Sequence, residues 1–439
     1  MNMSDSRYVC TVNKHLAPLL PHAVTVVFLA VILPRMLLFF YLGGELPQPS
    51  RDQGLYIHTA GRILQGKGLS FSSDLGLVKN LRNPDDSPQR FWTENPRYVF
   101  GLAPVETPTA VMEPGYSVLL ALFFSVFGAV SGSVFTLNML FAIGGAFAVR
   151  KLVIEVWGAE SGLMAAVLWS LYPPFVYYSA YAMTETAHIS MLMISSMFVL
   201  SAGRGRSKGF LAGVATGAFF LIRATALFLL PLQLLYLAWR KNWKALLFIA
   251  GGFVVAVSPW VVRNWVSLGE PVLMPTKGSL NLWMRNNPEA LALEGINVPE
   301  NIPVNNISLL EFPSTDSIPG ELARSRALGS SASEYIRSNP RLMLWLVWNR
   351  AVSFLAPGGS TLGSGGMVAG LIIYPLMLFG AIGLWRGRYH PETVFLFSLF
   401  VLYLLMHALA HGGVRYRLPV DAVFLVGVAL ETCCGRGKR

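Results

Sequence analysis

Residues Ser50–Leu69 read SRDQGLYIHTAGRILQGKGL, a polar run holding Arg51, Asp52, His58, Arg62 and Lys67. A few residues earlier ends a stretch, 22–42, of 21 residues that are almost all apolar. As a helix those residues extend roughly 31 Å, enough to cross a hydrocarbon core of about 30 Å. The polar segment that follows therefore sits outside the bilayer and continues to MEPGYSVLLALFF, where the chain returns to apolar sequence at Met112–Phe124.

Composition agrees with a membrane protein. Apolar residues make up 54% of the 439 and charged ones 13%, against about 25% charged in soluble domains. Mean hydropathy is +0.51. The net charge of +11 comes from short basic clusters between apolar runs, as the positive-inside bias produces. A nucleic-acid surface would gather those residues into one module, so no nucleic-acid partner is expected. The three cysteines, Cys10, Cys433 and Cys434, have no metal-ligand spacing and are not expected to be structural.

Seven apolar runs lie between the first polar loop and a second one at 267–340. Putting the basic clusters at Arg150–Lys151, Arg204–Lys208, Arg240–Lys244, Arg386–Arg388 and the tail in the cytoplasm places both loops on the other side. The number of crossings between the loops must then be even, so one run does not cross. Tyr116–Phe127 is the misfit, with 12 residues between Pro114 and Gly128, and is read as an interfacial or re-entrant helix. Leu342–Leu355, which contains Asn349 and Arg350, is read the same way.

The expected fold is an all-α polytopic membrane bundle of about ten transmembrane helices, with two large extracytoplasmic loops carrying short interfacial helices. The expected order is a cytoplasmic N-terminus (1–21), first span (22–42), first loop (43–131) and transmembrane core (132–266). The second loop (267–366), C-terminal spans (367–432) and a cytoplasmic tail (433–439) follow. Spans 209–222 and 224–239 are counted separately but are short, and the alternative is one broken helix pair around Arg223. Pro319 and Gly320 open a further helix over 319–337.

Ionisable residues at span ends are functional candidates. Asp52 can accept a proton from a hydroxyl nucleophile, or simply cap the helix that starts near Gln53. Glu185, in YAMTETAHIS, can orient a base or sit at the positive end of its helix. Arg223 in FLIRATAL, Arg263 in SPWVVRNW, and Arg415 and Arg417 flanking Tyr416 in HGGVRYRLPVDA suit an anionic lipid phosphate. The plain alternative for Arg223 is snorkelling to the interface. Arg35, inside the first span, needs an acidic or carbonyl partner. Glu113, Lys277 and Tyr416 complete the candidates.

With these residues in view, the chain resembles bacterial membrane glycosyltransferases of the GT-C fold, relatives of the dolichyl-phosphate-mannose protein mannosyltransferases and the lipid A aminoarabinose transferases. The resemblance rests on RDQGLYIHTAGRILQGKGL, EPGYSVLLALFFSVFG, MTET, LIRA, SPWVVRNWVSLGEPVLMPTKGSLNLWMRNNP and RYRLPVDAVFLV, in the family's order. It implies transfer of a sugar from a polyprenyl-phosphate donor to a lipid, glycan or protein acceptor at the outer face of a bacterial inner membrane, with both termini cytoplasmic. It implies Asp52 as the general base with Glu185 as a second catalytic carboxylate, and Arg223, Arg263, Arg415 and Arg417 as donor-phosphate ligands. Many relatives have an acidic pair where this chain has Asp52-Gln53, which points away from a bound metal, though a divalent cation stays open as a cofactor. Many have Pro-Pro where it has Glu113-Pro114. A lone base opposite a leaving phosphate implies inversion at the sugar carbon. The competing reading is a transporter or flippase for a lipid-linked sugar. Such proteins carry paired repeats, and none is visible in this chain.

Overall fold

A computed structural model describes residues 16–47, 51–71, 98–99, 103–287, 298–299, 302–303, 318–356, 365–410 and 414–433. The acids Asp74, Asp85, Asp86 and Glu94 of the first loop lie outside the described residues. The chain is helical and is a multi-pass membrane protein. Four helices are long and apolar enough to cross a membrane, beginning at Pro18, Ser131, Trp243 and Pro391, and five shorter apolar helices accompany them among the described residues.

A short 3-10 helix, Ala17–His22, leads into α1 (Ala23–Tyr41). The polar run that decides the reading forms α2 (Arg51–Leu64), and two 2-residue strands, β1 (Tyr98–Val99) and β2 (Ala103–Pro104), pair antiparallel beyond it. Next come α3 (Gly115–Phe127), α4 (Ser131–Trp157), α5 (Ala159–Leu171), α6 (Pro173–Tyr178) and α7 (Glu185–Ser201). The broken pair is α8 (Arg206–Ile222) and α9 (Ala226–Trp239), followed by α10 (Trp243–Leu268). Two polar-loop helices, α11 (Lys277–Arg285) and α12 (Glu321–Ser338), precede α13 (Pro340–Leu355). The chain closes with α14 (Gly365–Arg386), α15 (Pro391–Ala410) and α16 (Val414–Cys433).

Small residues bring helices together where lipid supplies no hydrophobic drive. A Cβ on Gly213 would stand 2.1 Å from the Ile249 carbonyl oxygen, and one on Gly252 would stand 2.2 Å from that of Phe210. Neither could carry a side chain while α8 and α10 keep this approach. The outer surfaces of the spans stay apolar and exposed, as at Leu37, Leu247, Val266 and Leu405.

Arg35 shows how a charge is tolerated inside such a bundle. The residues four places after Trp169 and Ser170 are Pro173 and Pro174, which have no N–H, so the last carbonyls of α5 lack helical donors. Arg35 donates to the Ser170 carbonyl at 2.9 Å and to its own helix at Val31 at 3.0 Å.

Candidate functional site

Several helix ends meet around Glu185. The chain is broken there because α8 stops at Arg223, whose backbone is extended (φ −153°, ψ 117°), and α9 restarts at Ala226. The break frees an N–H at Ala224, and Glu113 accepts it at 2.8 Å. Glu113 reaches that far because Gly115 lets α3 lie against α8; a Cβ there would be 2.7 Å from the Leu221 carbonyl oxygen. On the opposite wall, Gln53 of α2 accepts the Ala182 N–H at 2.9 Å, tying α2 to the turn before α7.

Within this frame the charges interlock. Arg415, at the start of α16, donates to Glu185 at 2.6 Å and reaches Asp52 at 3.5 Å, so one guanidinium bridges both carboxylates. Arg223 donates to the same Glu185 oxygen at 3.2 Å and to the Thr184 hydroxyl at 2.8 Å. Lys277, the first residue of α11, donates to the other Asp52 oxygen at 3.0 Å. The Arg223 guanidinium lies 5.9 Å from the centre of the Tyr416 ring, which stacks on His407. Behind the cluster, His188 shares a 2.6 Å hydrogen bond with Tyr403.

The two carboxylates differ in what they still offer. Asp52 is partly open, with 31% of its side-chain surface exposed. Its burial opposes the charge, but Lys277 and Arg415 outweigh that and hold the carboxyl at about 2. Asp52 is therefore ionised at neutral pH in the resting protein. With its folded pKa depressed, the stability it contributes is complete above the unfolded value of about 3.9 and is lost only as pH falls towards 2. Glu185 is buried, and its Oε2 has no hydrogen-bond partner among the described residues, although both arginines converge on Oε1. A buried carboxylate oxygen without a donor is costly, and a ligand N–H or O–H would satisfy it. A crevice lined by Glu185, His188, Arg223, Arg415, Tyr416 and Pro419 opens beside it.

Arg263 and Arg417 lie outside this cluster. Arg263 donates to the backbone carbonyls of Thr109 at 2.7 Å and Leu69 at 2.9 Å, pinning the first polar loop to the end of α10. Arg417 is buried, pairs with Asp421 at 3.0 Å, and donates to the carbonyl of Ala356, with longer bonds to Leu355 and Phe354. Those are the last carbonyls of α13, where a cation is favoured. Tyr172 completes the set by donating to Asp421 at 2.8 Å.

The sequence did not single out Glu321. It is buried at the start of α12, and its carboxylate accepts from the Thr109 hydroxyl at 2.7 Å, the Ala110 N–H at 3.1 Å and the Thr276 hydroxyl at 2.6 Å. Thr276 and Lys277 also donate backbone bonds to Ala110 and Val111. Glu321 thus clamps the two polar loops together one residue before Lys277. An acid in the first turn of a helix looks like an ordinary dipole-favoured residue, so nothing in the sequence marked it. Among the described residues, no three His, Cys, Asp or Glu side chains gather as a metal would require.

Residues 108–262 match the family model for dolichyl-phosphate-mannose-protein mannosyltransferase. That stretch takes in EPGYSVLLALFFSVFG, MTET and LIRA, and it ends within SPWVVRNW. No curated protein matches the chain. Among solved structures, the chain is similar to the archaeal oligosaccharyltransferase AglB from Archaeoglobus fulgidus, in complex with an inhibitory peptide and a dolichol-phosphate. That likeness has 13% identity and a TM-score of 0.49 over 95% of this chain and 50% of the other. It is also similar to ArnT from Cupriavidus metallidurans bound to undecaprenyl phosphate, at 14% identity and a TM-score of 0.36 over 96% and 78%. The chain spans about half the length of the archaeal structures it matches. Likenesses this distant do not carry the functional argument, which rests on the family match and on the charges around Glu185.

Proposed function

We propose that this protein is a membrane glycosyltransferase that moves a sugar from a polyprenyl-phosphate donor to an acceptor at the outer face of a bacterial inner membrane. The observation that carries the reading is the bridge through Arg415: one cation spans Asp52 and Glu185, with Arg223 and Lys277 flanking it. Breaking the bond between a sugar carbon and a lipid phosphate develops negative charge on the phosphate oxygen. Arginines and a lysine held in place beforehand stabilise that charge without reorganisation, a contribution of about 10²–10³ per donor group. The family match over 108–262 supports the same substrate class.

In this reading the resting ion pairs are exchanged during the reaction. Lys277 and Arg415 turn from Asp52 to the donor phosphate. Relieved of its cations, Asp52 becomes a stronger base and accepts the proton of the incoming hydroxyl. The acceptor oxygen bonds to the sugar carbon as the carbon–phosphate-oxygen bond breaks, and the electron pair leaves on the polyprenyl phosphate. Attack opposite the leaving group inverts the sugar carbon. The unpartnered oxygen of Glu185 accepts a hydrogen bond from a sugar or acceptor hydroxyl. Arg263 and Arg417 support this site by fixing the first loop and α13 and do not touch phosphate.

The test uses the full chain in detergent with radiolabelled polyprenyl-phosphate sugars of several kinds and cell-envelope acceptors. Product and free polyprenyl phosphate formed without a bilayer establish transfer. Binding of donor with no turnover of any sugar favours the transporter reading instead.

A further inference from the structure

A second cationic site lies at the other end of α15. The ends of α14 and α15 line a groove of about 610 Å3, well separated from the cluster around Glu185. Thr393 in the groove and His407 beside Tyr416 are both on α15, about 20 Å apart along a helix rising about 1.5 Å per residue. Since α15 is long and apolar enough to cross a membrane, the groove opens at the opposite membrane boundary.

The groove changes character along its length. One end is lined by Ala381, Ile382 and Phe397, and the other by Arg386, Arg388 and Thr393. Phe397 and Trp385 are largely exposed, as they would be facing lipid. Arg386 is ion-paired to Glu431. Arg388 has no carboxylate within ion-pair distance among the described residues. Its guanidinium is stacked between Trp385 at 4.7 Å and Tyr389 at 4.5 Å, measured to the ring centres. It donates to the Trp385 carbonyl and the Tyr389 hydroxyl, both at 2.8 Å. A guanidinium has five donors, so three remain, fixed in direction by the two rings. Thr393, also in the lining, is buried and its hydroxyl has no partner among the described residues; it lies against Gly387, where a Cβ would be 3.0 Å away. Glu392, one turn along the chain, lies close enough to Tyr236 on α9 to act on it and makes no ion pair with Arg388.

We propose that this groove binds the phosphate headgroup of an anionic phospholipid, with the phosphate on Arg388 and the Thr393 hydroxyl and an acyl chain along Ile382 and Phe397. A fixed, uncompensated guanidinium matches a phosphate diester in charge and donor geometry. The apolar continuation of the groove selects a lipid over free phosphate. The proposal does not depend on the assignment of the transferase site.

The full chain, delipidated in detergent, is titrated with phosphatidylglycerol, phosphatidylcholine or inorganic phosphate, and bound molecules are counted by native mass spectrometry. The expected result is one phosphatidylglycerol held about tenfold more tightly than phosphatidylcholine, and not displaced by millimolar phosphate. Arg388→Gln abolishes the preference, Thr393→Val weakens phosphatidylglycerol binding about threefold, and Arg206→Gln, on another connection, leaves it intact. Equal binding of the two lipids by the wild-type chain overturns the proposal. So does an Arg388→Gln variant that keeps the preference, or displacement of the lipid by inorganic phosphate.

Discussion

Two buried carboxylates, Glu185 and Glu321, sit at the starts of their helices and are held in opposite ways. Glu185 receives two arginines on one oxygen and nothing on the other. Glu321 receives two hydroxyls and an amide, which use both of its oxygens, and among the described residues no cation lies within ion-pair distance. The first arrangement concentrates positive charge and leaves an acceptor vacant, which suits a ligand that is anionic and carries hydroxyls. The second is closed: its donors are neutral, they come from both polar loops, and they dock those loops onto α12. Burial accordingly pushes Glu321 above the ordinary carboxylate range despite its hydrogen bonds. The difference separates the proposed reactive centre from the clamp that holds the loops beside it.

The comparison is broken most severely at Arg415. Arg415→Gln removes the bridge between Asp52 and Glu185, and kcat/KM for transfer is expected to fall by about 10³, as for the loss of a preorganised donor. Thermal unfolding of the same sample checks that the protein is still folded. Glu185→Gln keeps shape and removes charge; the fall is expected to be about 10², read in the same assay, with the loss mainly in kcat. Arg417→Ala probes a buried ion pair away from the cluster instead. It strands Asp421 and the last carbonyls of α13, so the expected effect is about 3 kcal/mol of stability, seen as a lower thermal midpoint, with kcat/KM of the folded fraction down less than tenfold.

The smallest effect sharpens the contrast from the other side. A carboxyl whose folded pKa is raised favours the protonated form in the fold, so ionised Glu321 costs stability at neutral pH and acidification relieves that cost. Glu321→Gln removes the titration. The wild-type thermal midpoint is expected to gain on the variant as pH falls from about 7 to about 5, and parallel profiles would count against the clamp's charge state.

Much of this was legible along the chain. The polar run at Ser50–Leu69 marked α2, the Arg223 break marked the joint of α8 and α9, and Asp52, Glu185, Arg223, Arg415 and Lys277 were all candidates before any geometry was known. Their convergence was not legible. Asp52 and Arg415 are 363 residues apart, and no local periodicity encodes such a pairing. Arg263 and Arg417 looked equivalent to Arg415 because each sits at a span end beside an aromatic residue. They differ in the partners within reach: backbone carbonyls from Leu69, Thr109 and the end of α13, and for Arg417 also the Asp421 carboxylate. Glu321 and Thr276 were missed for the same reason: a hydrogen-bond clamp between loops leaves no pattern in either loop.

The central claim is that the cations around Asp52 bind a lipid phosphate while Asp52 itself accepts the proton. A single-turnover measurement of polyprenyl-phosphate release by Asp52→Asn, with donor binding measured on the same sample, tests it most directly. Donor affinity within a few-fold of wild type, with release slowed by about 10³ or more, is the predicted result. Release at a near-wild-type rate from a folded Asp52→Asn protein would contradict it.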